Sequence, residues 1–132
     1  MHPAKTISDV RELSSEERHL LDWLLQHGEP AASSYASQLS DASVISHCGC
    51  GCPSIDLAVR GRAVPITQPT TILADGEAVT PEGVLVGIIL HARDGLLSEL
   101  EVYSMAGEQR AFSLPRTEDI VFYTNHESTP DA

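Results

Sequence analysis

Two largely apolar runs, Val84 to Ala92 and Leu96 to Ser104, are separated only by Arg93-Asp94-Gly95, and this constrains the fold more than any other feature. Asp-Gly between apolar runs favours a type I′ turn, because both central positions need positive φ, and such a turn joins strands that pair directly. An antiparallel hairpin is therefore expected. With Asp94-Gly95 as the two-residue loop, Arg93 faces Leu96, Leu90 faces Glu99, Ile89 faces Leu100 and Gly87 faces Val102. That register places Leu85, Ile89, Leu100 and Val102 on one face, as core. The other face carries Val84, Val86, Ile88, Leu90, Leu97, Glu99, Glu101 and Tyr103, which is too apolar for a plain solvated surface. It is expected to be covered by another segment or to meet a partner, either a different protein or a second copy in a homodimer. Val86, Ile88, Leu90, Glu99, Glu101 and Tyr103 form the candidate binding surface.

Upstream, Ser14-Ser15-Glu16-Glu17 matches a capping box, in which Ser14 caps the Glu17 amide and Glu17 reaches back. Leu20, Leu21, Leu24 and Leu25 follow at helical spacing beside Trp23, and Gly28 is placed to end the helix. A second, weaker helix is expected from Pro30, with Ala31, Tyr35 and Leu39 on one side. Beyond Asp41 the period changes to two: a short strand over Ala42 to His47, then a half-buried strand in which Ile55, Leu57 and Val59 alternate with Asp56, Ala58 and Arg60. Gly61 to Pro69 reads as a loop, Thr70 to Ala74 as a strand ending at Asp75-Gly76, and Arg110 to Leu114 as a last short strand. The fold class is α+β: one or two N-terminal helices on a mostly antiparallel sheet of about 5–6 strands. Residues 1–12 and 124–132 are expected to be flexible tails around a single domain over residues 13–123.

The 132 residues suit one domain with one hydrophobic core. Eight Lys and Arg against 19 Asp and Glu give a formal charge of −11, which repels phosphate backbones, so no nucleic-acid partner is expected. The N-terminal residues lack the apolar stretch of a signal peptide and the longest apolar run is too short to span a membrane, so a cytoplasmic location is expected.

All three cysteines lie in the run His47-Cys48-Gly49-Cys50-Gly51-Cys52-Pro53. Three thiolates and an imidazole are, in composition, a tetrahedral ligand set, with zinc as the cation they suit. Their spacing opposes this, since residues two apart on an extended strand are roughly 6.6–6.8 Å apart and their sulfurs do not converge. Gly49 and Gly51 relax that objection by permitting a curled loop. A second cysteine pair, which structural zinc sites usually use, is missing. Three readings stay open for His47, Cys48, Cys50 and Cys52: a metal site, a reactive Cys-x-Cys thiol pair, or small buried side chains around a tight inter-strand connection.

Glu99 and Glu101 share one side of a strand, as paired catalytic carboxylates would, but no nucleophile is fixed beside them or beside His91. No phosphate-binding glycine loop, His-Glu-x-x-His or Gly-x-Ser-x-Gly motif occurs. No catalytic residue is assigned and no cofactor other than zinc is suggested. At Leu20 to Gly28, Cys48 to Leu57 and Asp94 to Gly107 the chain resembles a group of small uncharacterised bacterial proteins with a leading amphipathic helix, a Cys-Gly-Cys-Gly-Cys-Pro-Ser-Ile run and a Leu-Ser-Glu-Leu-Glu-Val-Tyr strand. The resemblance supports the α+β reading and implies no activity. The function expected from the residues is that of a small non-enzymatic binding domain with an acidic surface, the alternative being a metal or thiol-redox protein.

Overall fold

The computed structural model describes residues 6–107 and 110–123. Strand β1 (Thr6–Glu12) precedes helix α1 (Ser15–His27) and a 3₁₀ segment (Pro30–Asp41). Six further strands follow: β2 (Ala42–Cys48), β3 (Ile55–Val59), β4 (Thr70–Val79), β5 (Leu85–Arg93), β6 (Leu96–Ser104) and β7 (Val121–Phe122). They form one antiparallel sheet in the order β1-β2-β3-β6-β5-β4-β7. The α+β class holds, with seven strands rather than five or six.

The two extra strands are the edges, and neither has the alternating apolar pattern by which strands are recognised. Thr6 to Glu12 is strand and not tail, although its side chains are largely exposed. Polar contacts hold it: Arg11 Nε meets Asp9 Oδ2 at 3.0 Å, and the Arg11 guanidinium grips both Glu17 oxygens at 2.8 and 2.9 Å. β7 is only two residues long, pairing with Gly76 and Glu77 while Phe122 stacks on Trp23 of α1 with ring centroids 5.4 Å apart. The expected strand at Arg110 to Leu114 does not form, because Phe112 turns into the core and its amide meets only Gly51 O, at 3.4 Å. The C-terminal tail expected over 124–132 lies outside the described residues.

Helix α1 begins with the expected capping box, Glu17 N to Ser14 Oγ at 3.1 Å and Ser14 N to Glu17 Oε1 at 2.8 Å, and closes with Gly28 N donating to Leu24 O at 2.8 Å. Leu20, Leu21, Leu24 and Leu25 are buried in one core cluster with Leu73, Val86, Ile88, Leu90, Leu100 and Val102 of the sheet. Burial of each such side chain is worth about 1.5–3 kcal/mol, so this layer dominates the stability of the fold. The segment after Pro30 is a 3₁₀ helix that buries Ala32 and Leu39, leaving Ala31 exposed. β4 runs on through Asp75-Gly76, where both residues pair with β5.

The hairpin turn is as the sequence dictates, with Asp94 at φ +53°, Gly95 at φ +76° and Arg93 opposite Leu96. Its register is not. Ala92 pairs with Leu97 but His91 pairs with Glu99, so Ser98 is an extra residue, a bulge, whose hydroxyl takes Arg93 Nη1 at 2.9 Å. Everything beyond Ser98 moves by one position: Leu90 meets Leu100, Ile88 meets Val102 and Ile89 meets Glu101. A one-residue slip exchanges the faces. Val86, Ile88 and Leu90 are core residues, 0, 1 and 0% exposed, and therefore cannot form a binding surface with Glu99, Glu101 and Tyr103, which lie on the opposite, outer face.

Candidate functional site

The cysteine run is the connection between β2 and β3. Cys48 ends β2, Gly49 to Cys52 make a tight turn, and Cys48 N donates to Ser54 O at 3.1 Å to close it. Gly51 sits at φ +98°, a region that L side chains avoid, and this reversal curls the thiols to one side. Ser54 ties the loop to the sheet: its hydroxyl donates to Val102 O at 3.0 Å and accepts from Val102 N at 2.8 Å.

The three sulfurs consequently converge. Cys50 Sγ lies 2.6 Å from Cys48 Sγ and 2.8 Å from Cys52 Sγ, and all three lie within 4.8 Å of one another. Amides point at them, Cys50 N to Cys48 Sγ at 3.4 Å and Cys52 N to Cys50 Sγ at 3.3 Å. Burial raises the Cys50 thiol, but hydrogen bonds from Cys48, Cys52 and the backbone outweigh it and hold the group below its ordinary value. Burial pushes the Cys48 thiol up to about 12, helped by its hydrogen bond to Cys50. Of the trio, Cys50, the exposed member, thus gives up its proton more readily than Cys48.

His47 does not join them. Its Nδ1 is 3.0 Å from Asp9 Oδ2 across the β1–β2 pair, and it belongs to no metal-type cluster among the described residues. Asp9, hydrogen-bonded by Arg11 and then His47, is held below the usual carboxylate range.

A groove of about 320 Å³ opens beside the thiols on the outer face, lined by Cys48, Cys52, Asp56, Arg93, Glu99, Glu101 and Tyr103 among others. No family model, curated protein or solved structure matches the chain. The chemistry of the groove rests on its own donors. Among the described residues no helix is long and apolar enough to cross a membrane.

A second group that the sequence pattern concealed stands on β5 and β6, and its two carboxylates, Glu99 and Glu101, also line the groove. His91 Nε2 is 2.8 Å from Glu101 Oε1, and with Glu99 these ligand atoms all lie within 4.8 Å of one another. His91 Nδ1 is 2.8 Å from Thr70 Oγ1 on β4. Asp56 stands directly across from Glu99 in the β3–β6 pair, its Oδ2 accepting from Ser46 Oγ at 2.7 Å. Burial raises the Glu99 carboxyl above its ordinary value, and Glu101 and Asp56 add to the shift against the pull of His91 and Arg93. The available signal was the pair His91 and Glu99 around a short hairpin, readable only once Ser98 is recognised as a bulge.

Proposed function

We propose that this chain is a non-enzymatic metal-binding module that takes up a thiophilic cation, zinc first, on Cys48, Cys50 and Cys52. The single observation that carries this reading is the convergence of three thiols, all within 4.8 Å, in one glycine-bearing turn. Thiolates are the ligands such cations prefer. Tetrahedral zinc at about 2.3 Å from sulfur sets neighbouring sulfurs about 3.8 Å apart, so opening the present spacing by about 1 Å through side-chain rotation seats the ion.

Two features favour uptake and release over a closed structural site. Three protein ligands leave the fourth position to water or to an exchanging ligand, and Cys50 is exposed. The formal charge of −11 also concentrates cations near the surface.

Elemental analysis of the full chain, purified without chelator, loaded with zinc and desalted, tests the reading. About one zinc per chain is expected, lost in Cys50→Ser. Wild-type chain that leaves the column without zinc, or a Cys48→Ser/Cys50→Ser/Cys52→Ser variant that keeps the full equivalent, overturns it.

A further inference from the structure

Cys50 stands between two thiol partners. Its sulfur is 2.6 Å from Cys48 Sγ on one side and 2.8 Å from Cys52 Sγ on the other, and all three cysteines are free. A disulfide bond is about 2.05 Å long, so either pair closes by an approach of under about 1 Å. Exposure divides their roles. Cys50 is exposed, whereas Cys48 and Cys52 are half-buried and line the groove of about 320 Å³. An incoming disulfide therefore meets Cys50 first, with a resolving thiol on either side. The frame that holds them is the sheet itself: Ser54 Oγ is 3.5 Å from Cys52 Sγ and bonds both N and O of Val102 on β6. Gly51, at φ +98°, makes the turn between Cys50 and Cys52 that an L side chain would resist.

We propose that the metal-free trio is a thiol–disulfide exchange relay for low-molecular-weight disulfides, an activity that shares its cysteines with zinc uptake but does not rest on it. Cys50 Sγ, as thiolate, attacks one sulfur of the small disulfide: a bond to Cys50 forms, the substrate S–S bond breaks, and one substrate thiolate leaves. Cys48 or Cys52, as thiolate, then attacks Cys50 Sγ, so that the intramolecular disulfide forms and the second substrate thiolate leaves. Two cysteines are oxidised and one substrate disulfide is reduced to two thiols, the protons shed by the cysteines passing through water to the departing thiolates. The remaining cysteine attacks Cys50 Sγ in turn, exchanging a Cys48–Cys50 bond for Cys50–Cys52 with no net oxidation. A Cys-x-Cys disulfide closes a small ring, and strained, exposed disulfides are the labile ones, so an external thiol reopens it and returns the reduced trio. Charge selects the substrate: the formal −11 favours the approach of a cationic disulfide over an anionic one, and salt weakens the preference.

Chelator-treated full-length chain, mixed with the dicationic disulfide cystamine, is followed by intact mass and thiol titration. The expected end point is an intramolecular disulfide with a single thiol left and no retained adduct. Cys48→Ser and Cys52→Ser each still close, because Cys50 keeps one partner, whereas Cys48→Ser/Cys52→Ser holds a stable aminoethyl adduct. Ring closure is expected to be about tenfold or more faster in native buffer than in urea, since the fold brings the sulfurs together. Dithiodiglycolate, a dianionic disulfide, is expected to react about tenfold or more slowly than cystamine at low salt, each rate taken relative to that with a neutral small thiol. Survival of all three thiols, a wild-type chain that stalls as a stable adduct, or closure as fast in urea as in native buffer overturns the relay; equal relative rates for the two probes overturn its substrate class. Zinc retention is scored separately, so a chain that closes its disulfide yet holds no zinc supports the relay and contradicts the zinc reading alone.

Discussion

The ring of Tyr103 lies directly over Gly87, its cross-strand partner on the outer face of the sheet. A methyl group at Gly87 would overlap the ring, with Cε1 only 2.6 Å from the added carbon. Glycine in a strand costs about 0.5–1 kcal/mol relative to alanine, so here it serves to seat the aromatic ring that walls the groove. Gly87→Ala is therefore expected to stabilise a Tyr103→Ala background by about 0.5–1 kcal/mol. In the wild type the same change is neutral or destabilising, because the ring must leave its rotamer. A double-mutant cycle in urea should show a coupling of about 1 kcal/mol; a coupling near zero contradicts the close approach.

The bulge at Ser98 makes the two faces of the hairpin distinguishable by mutation. Ile88 is 1% exposed and Leu85 is 41% exposed. Ile88→Ala should cost about 2–5 kcal/mol and Leu85→Ala under about 1 kcal/mol, measured by denaturant midpoints. The unbulged register demands the reverse order, so the ranking of these two variants decides between them.

Glu17 joins β1 to the start of α1, accepting from Arg11 and from the Ser14 amide. Burial raises its carboxyl, but the Arg11 and Ser14 hydrogen bonds prevail and hold it below its ordinary 4.5. A depressed carboxylate contributes stability that is present above the ordinary value and is lost as pH falls through the lower folded one. Glu17→Gln should thus cost about 1–2 kcal/mol at neutral pH. Melting temperatures of the two proteins should converge as pH drops below 4.5. A gap that stays constant down to strongly acid pH contradicts the account.

The residues that announced themselves in the sequence are those whose local chemistry and long-range packing agree. Ser14 and Glu17 cap α1, Leu20 to Leu25 bury their stripe, and Asp94-Gly95 turns the hairpin. What stayed hidden depends on a partner distant in sequence. β1 is held through Arg11 to Glu17 and Asp9 to His47 rather than by an apolar face, and a two-residue β7 has no pattern to display. Ser98 reads as any strand serine until Arg93 is placed against it, and missing it turned Val86, Ile88 and Leu90 outward and separated His91 from Glu101. For the cysteines, extended-strand spacing argued against convergence, and the left-handed turn at Gly51 reversed the outcome.

The central claim, that these thiols hold one cation, is tested most directly by zinc K-edge X-ray absorption on the full chain carrying one equivalent of the metal. The account predicts a first shell of three sulfurs at about 2.3 Å with one lighter ligand at about 2.0–2.1 Å. A shell made only of nitrogen and oxygen would place the zinc elsewhere and contradict it.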